Sequence, residues 1–247
     1  MTYLDTGGTR RQVNVLAASG ATANARMKDI IAAIPGAQAI NRTDIGDSLN
    51  TNGYGFNIRN NRTRDNISGK VDYLASSNHS ISGTLLVNRD KLDRPDLSND
   101  YELVPKVSND NTTKLISGTW RWTPSSTLTN ELRGGFNLGP AVFATSEEFG
   151  NSILTLPLVG NPLNTFRSQG RYTNTYNFSD NATLFRGKHT FAFGMQYQNI
   201  HADPYNDAGN LPGYTIGIST ANPAGLSGTQ LPGIRSSDLT IANNLLA

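Results

Sequence analysis

Three histidines, a run of acids and two adjacent glutamates are the residues of this sequence whose types could do chemistry. His79, His189 and His201 are zinc-ligand types, but they fall at a turn, a strand start and a loop, and none has a second ligand at metal-site spacing. They read as interfacial or loop histidines. Asp93, Asp96, Asp100 and Glu102 supply the hard oxygens that calcium prefers, yet their spacing misses the D-x-D/N-x-D/N-G loop. Glu147 and Glu148 are neighbours, so an extended backbone turns them apart and denies them an acid/base pairing. The sequence has no G-x-S-x-G elbow, no G-x-x-x-x-G-K-S/T phosphate loop and no H-E-x-x-H helix. It has no cysteine, which removes thiol nucleophiles and disulfides together. The residues call for no catalytic centre, no metal and no cofactor, and the expectation is a protein that is not an enzyme.

What the chain is built to position must be read from its patterning. Hydrophobic residues make up 36% and charged residues 16% of 247, which leaves a heavy load of Asn, Ser, Thr and Gly suited to strands and turns. The formal net charge is +2 and the charges are scattered, so there is no electrostatic footprint for nucleic acid. No apolar run approaches the roughly 20 residues of a membrane-spanning helix, and MTYLDTGGTRRQ lacks the charged-then-apolar order of a signal peptide.

The first fifty residues read as irregular structure with one short helix, because Met27, Ile30, Ile31 and Ile34 recur at helical spacing and Pro35-Gly36 stop the pattern. From Gly53 the period changes to two. Strands are predicted over 66–74, 80–89, 112–122, 127–138, 172–185 and 189–200, with a weaker one at 53–59. Tight breaks at ASSNH, TPSS and RGK join them in pairs, and much longer connections separate the pairs. Adjacent antiparallel strands put every second connection at the same end of a sheet, so one end is trimmed and the other elaborated. Outer-membrane barrels have that asymmetry, with short periplasmic turns and long extracellular loops. In HTFAFGMQYQN one face is His189, Phe191, Phe193, Met195 and Tyr197, while the other is small and polar, as a lipid face and a wet lumen would be. Alternation places Lys70, Asp72, Glu131 and Arg133 on lumen-facing positions. A soluble β-sandwich offers the same alternation strand by strand, with a carbohydrate-binding module as its functional form.

The order MKDIIAAIPGA, GDSLNTNGYGFN and NRTRDNISGKVDYLASSNHSISGTL resembles TonB-dependent outer-membrane receptors of the Oar-like group, whose complete members carry a carboxypeptidase-regulatory-like domain. LFRGKHTFAFGMQYQ is similar to a further stretch of that family, and SSDLTIANNLLA to a helical segment of an external loop. The resemblance implies a transporter that binds a large solute at its external loops and imports it with energy relayed from the inner membrane. Outer-membrane lipid, the TonB complex reached through other parts of the parent protein, and the solute are the partners this implies, in the bacterial outer membrane. A passive porin or an adhesin-like barrel is the alternative.

Six strong strands fall short of the roughly 8 that close the smallest barrel and of the roughly 22 in plugged transporters. The expected fold is therefore all-β, a partial antiparallel transmembrane β-barrel of about six meander strands within a larger barrel of about 22. Residues 1–52 are expected to form an extracellular loop region with a short helix, 53–200 the barrel strands and loops, and 201–247 a further extracellular loop. Ligand contacts should come from the long loops, with Tyr101, Phe143, Phe149, Phe166 and Tyr205 as stacking side chains.

Overall fold

Alternating apolar and small polar residues demand an extended backbone, because only a period of two gathers all the apolar side chains of a segment on one side. A computed structural model of the chain describes residues 1–98, 100–147, 152–160, 163–219 and 222–246. Its elements, in order, are β1 (Thr2–Leu4), β2 (Arg10–Gln12), α1 (Val15–Ser19), α2 (Ala25–Ala32), β3 (Arg62–Ser76), β4 (His79–Asp93), β5 (Val107–Ser125), β6 (Leu128–Leu138), β7 (Ala141–Thr145), β8 (Ile153–Thr155), β9 (Gln169–Arg186), β10 (His189–Asn206), β11 (Gly213–Thr215) and α3 (Ser236–Asn244).

The long strands form one antiparallel meander, β10-β9-β6-β5-β4-β3, with β3 and β10 at its edges. β7 prolongs the path of β6 in the same register against β9, the break falling at Gly139-Pro140 where proline has no N–H to give the ladder. All six predicted strands are present; β6 keeps its predicted extent to within one residue and the other five reach further than their apolar patterns, most at the long-loop end. Two expectations are corrected. Residues 53–59 make no strand: a bridge between Arg42 and Gly53, one backbone bond from the Arg59 N–H to the Leu103 carbonyl at 2.8 Å, and side-chain contacts of Asn41 and Asp93 tie the stretch down without a ladder. Residues 201–206, expected in a loop, continue β10, because pairing with Gln169–Asn174 carries the ladder past the end of the apolar alternation.

Register decides the faces. Val71, Gly83, Gly118, Gly134, Phe178 and Tyr197 are successive cross-strand partners and so share one side of the sheet. The neighbouring rows on that side hold Tyr73, Ile81, Trp120, Leu132 and Met195, then Leu85, Ile116, Phe136 and Tyr176. This face is apolar and uncovered: Val71 is 71% exposed, Phe193 61% and Met195 60%. Among the described residues no second sheet lies over it, which removes the β-sandwich. Within the apolar band one carboxylate intrudes, Asp180, and it accepts a 2.8 Å hydrogen bond from the Asn130 amide beside it. An apolar surface of this extent is stable only against hydrocarbon.

The band also shows how the strands lie. It covers Ile67–Tyr73 on β3 but Phe191–Tyr197 on β10, where Tyr197 falls in the row of Val71, a shift of four residues over five strand-to-strand steps. At about 3.3 Å per residue and ~4.8 Å between strands, the strands tilt by roughly 30° from the band normal. That approaches the roughly 35–45° of membrane barrels. Rings mark the lower border near the short turns, where His79 stacks on Trp120 and Trp122 with centroids 5.7 and 6.3 Å away. Higher on the same face Phe136 meets Tyr176 at 5.0 Å. Beyond the band the strands continue towards the long loops with salt-bridged positions such as Arg89–Asp110 at 2.7 Å.

The chain entering β3 is fastened by one carboxylate. Asp93, at the loop end of β4 and outside the apolar band, accepts from Arg59 at 2.6 and 2.9 Å and from the Asn61 N–H at 3.0 Å. The Arg59 guanidinium holds the Asp93 carboxyl below the usual carboxylate range, against the opposing effect of burial and with help from the Asn61 N–H.

Two outcomes follow from these placements. Leu85→Arg, on the apolar face, is expected to lower the stability of the membrane-inserted protein by about 2–4 kcal/mol, whereas Thr84→Arg, one residue away on the polar face, leaves it nearly unchanged. Urea titration followed by tryptophan fluorescence measures both. For Asp93, a carboxyl depressed in the folded state stabilises above its unfolded value of about 3.9, and the contribution is lost as pH falls through the folded value. Amide exchange in residues 59–61 should therefore be several-fold faster in Asp93→Asn than in the native chain at neutral pH, with the difference shrinking as pH falls below about 4 and through the depressed folded value.

Candidate functional site

The face opposite the apolar one is mainly polar, with Leu74, Leu86, Leu115 and Ile200 set among its hydroxyls and amides; besides an Arg62, Arg64 and Asp90 cluster near the long loops, the strands deliver its charges in two places. Lys70 and Asp72 lie on β3, 2.9 Å apart and largely exposed. Glu131 lies on β6 between Arg121, at 2.6 Å, and Arg133, which also pairs with it, and its side chain is 14% exposed. Cross-strand pairing puts Asp72, Ser82, Thr119 and Arg133 in one row, so Asp72 and Arg133 share a face about 14 Å apart, with Arg121 on the intervening β5. The candidates are brought to one surface but not into one cluster. Hydroxyls, amides and mixed-sign ion pairs make a wall that water and polar solutes tolerate, with no nucleophile and base in contact.

At the long-loop end, buried charge locks the loops to one another. Lys106 donates to Glu147 at 2.7 Å and has Asp100 at 3.9 Å and Glu102 at 4.0 Å. Burial pushes the Asp100 carboxyl up, the Glu102 N–H and Lys106 only partly offsetting it. Burial works against the Lys106 charge too, yet the hydrogen bond to Glu147 and the surrounding carboxylates leave its pKa raised. Arg94 holds Asp96 at 2.5 and 2.8 Å, donates to Asn109 at 3.2 Å and lies over the Phe143 ring at 4.8 Å. The acidic run is thus divided, Asp93 to Arg59, Asp96 to Arg94 and Asp100 beside Lys106. Among the described residues no three His, Asp or Glu side chains are placed to hold a metal.

The predicted stacking residues are dispersed. Tyr101 donates its hydroxyl to the Gly160 carbonyl at 3.0 Å and packs with Tyr54 and Phe56, both at 6.4 Å. Phe143 is under Arg94 on the polar side of the sheet. Tyr205 stacks on Tyr172 at 6.4 Å on the apolar side, above the band. It crosses Gly170 so closely that a Cβ there would lie 3.2 Å from its ring and 2.7 Å from the Ala141 carbonyl. Phe166 is half-buried, with its N–H on Asn164 at 2.7 Å. Phe149, like Glu148, lies outside the described residues.

Sequence reasoning missed the cap that the two ends of the chain build together. Val15, Leu226, Leu231 and Ala242 form its core, with Met1, Val13, Ile234 and Leu239 packed around them. Thr6 donates to the Gly233 carbonyl at 2.8 Å, and the buried Asn243 amide bonds both N–H and C=O of Leu226 at 2.7 and 3.0 Å. A parallel pair of β8 with β11 joins the loop before β9 to the same cap. Between α2, residues 156–159 and the end of α3 lies an apolar cavity of about 330 Å³. One of its walls was legible, the apolar stripe of Met27 and Ile31 on α2 continued by Ile34 just after it; Leu16 and residues 21–24 flank that wall, and the opposite side comes from residues more than a hundred positions away.

Comparison with known proteins agrees with this geometry. No curated protein and no solved structure matches the chain. A family model described as an outer membrane beta barrel domain matches residues 2–232, which takes in every strand of the tilted sheet and most of the cap. With one face for lipid and one for water, this chain belongs to the outer membrane beta barrel domain family and is a protein of the bacterial outer membrane.

Proposed function

We propose that the chain forms part of the wall and external cap of a TonB-dependent transporter, which binds a large solute at the cap and imports it using energy relayed from the inner membrane. One observation carries the reading: the three connections at one end of the sheet are two-residue turns, while the other end supports interlocked loops and a cap with its own core. A pore that only sieves small solutes has no need of so much folded protein over its mouth, whereas capture of a large solute requires a shaped surface there. The resemblance to Oar-like receptors supports the coupling to TonB. Lys70, Asp72, Arg121, Glu131 and Arg133 are read as lumen wall, and no catalytic role is assigned to any residue.

A passive channel is the second reading, favoured by the polar face, whose small side chains would line a water-filled lumen equally well. The barrel containing this chain separates the two in planar bilayers. A plugged transporter is expected to give little or no steady conductance, while a porin gives stable open channels. In whole cells, uptake of an oligosaccharide and oligopeptide panel above the size of porin solutes is expected to stop with a protonophore. Open channels together with protonophore-insensitive uptake would defeat the transporter reading.

A further inference from the structure

We propose that the cavity in the cap is a binding site for an amphipathic small molecule with an apolar chain and a single carboxylate. Its walls are Met27 and Ile31 of α2 with Ile34 just beyond it, Leu156 to Val159, and Leu245 and Leu246 after α3. These segments are placed independently of the cavity. The Ile216 N–H donates to the Thr155 carbonyl at 2.9 Å, and Asn243 pins α3 to Leu226. Leu156 is buried at the base, while Ile31, Leu158 and Leu245 remain exposed around the opening, so the cavity is lined but not filled.

Two features show that the site is shaped for a ligand. Leu158 has φ +69°, a backbone conformation that side chains other than glycine rarely adopt, and the Val159 N–H donates to the Pro157 carbonyl at 2.9 Å across it. This is a γ-turn of the strained, positive-φ kind, and such strain persists where the surrounding structure enforces it, often at ligand sites. The second feature is the sign of the rim. Lys28 is exposed and makes no salt bridge among the described residues; its neighbour Asp29 does not line the cavity. Asn24 uses its carbonyl oxygen to cap α2, accepting from Arg26 and Met27 at 2.9 and 3.3 Å. Asn244 likewise accepts from the Ile218 N–H at 3.2 Å. Both amides are thereby turned so that NH2 groups, not oxygens, are left over. A cation and two donors around an apolar hollow select an acceptor-bearing, negatively charged head on an apolar body.

The proposal rests on reading these segments as the solute-facing cap, and it names the chemistry of what they take. It is tested with radiolabelled decanoate and outer-membrane vesicles from expressing cells, vesicles from non-expressing cells giving the lipid background. Saturable binding is expected above that background. Ile31→Trp, at an exposed position, fills the cavity and should weaken decanoate binding at least tenfold. Lys28→Glu should weaken decanoate at least fivefold while leaving decanol unchanged. Binding no greater than background, or binding untouched by Ile31→Trp, overturns the site. Equal affinity of the native chain for decanol and decanoate overturns the carboxylate assignment. If decanoate fails to bind and cross-linked dimers are lost in Ile31→Trp, the cavity belongs to a second copy of the chain and the proposal is wrong. Vesicles carry no inner membrane and no energy source, so binding there stands or falls separately from conductance and protonophore-sensitive uptake.

Discussion

Every backbone N–H and C=O that enters hydrocarbon must find a partner within the protein, because no water is there to replace it, and an unsatisfied group costs several kcal/mol. The ladder from β3 to β10 is the response of this chain to that constraint. Continuous pairing satisfies the backbone across the whole width of the sheet, and the period-two pattern then directs Val71, Leu85, Ile116, Phe136, Phe178 and Phe193 to one side. The sheet has no apolar core of its own. Its hydrophobic driving force comes from lipid on one face, which explains why so many large apolar side chains are exposed without being a liability. The same constraint leaves the edges β3 and β10 in need of neighbouring strands, since unpaired edge groups cannot remain in a bilayer.

Irregular backbone is thereby displaced to where water can reach it. At the short-turn end little is left, because three tight turns suffice to reverse the chain. At the other end the strands outrun the apolar band and carry salt-bridged rows upward, so that loops begin well clear of the membrane. There the loops are held by a different class of interaction. Lys106 with Glu147 and Arg59 with Asp93 carry strand pairing past the ends of its ladders, and Arg94, paired with Asp96 and lying over Phe143, ties the loop after β4 to β7. Only above them does a small water-excluding core form, around Leu231 and Val15, with the apolar cavity at its flank. Stability in this protein is thus divided by environment: hydrogen-bonded ladder in lipid, ion pairs at the mouth, and apolar packing in the cap.

Much of this was legible in the sequence because strand, face and turn are local properties. A period of two names the face of Phe193 or Ser82 without knowledge of its partner, and the short spacers ASSNH, TPSS and RGK name the trimmed end. Strand ends were less legible. Arg62–Asp65 is polar on both faces and His201–Asn206 has no apolar alternation, so only pairing with the neighbouring strand makes them β. The stretch 53–59 carries alternation but has no partner strand among the described residues, and without one it stays irregular.

By itself, then, the sequence determined the strands, their two faces, the asymmetry of the two ends and the absence of catalytic motifs, all of which depend on residues close together in the chain. Tertiary structure decided what depends on long-range register and closure: that the apolar band is tilted, that Lys70–Asp72 and Arg121–Glu131–Arg133 are separate groups, and that Tyr101, Phe143 and Tyr205 go to different surfaces. It alone brought residues 16–34, 156–159 and 244–246 around one cavity. The physical reason is that a ladder repeats every two residues and is written into each strand, whereas a cavity exists only between segments that the completed fold brings together.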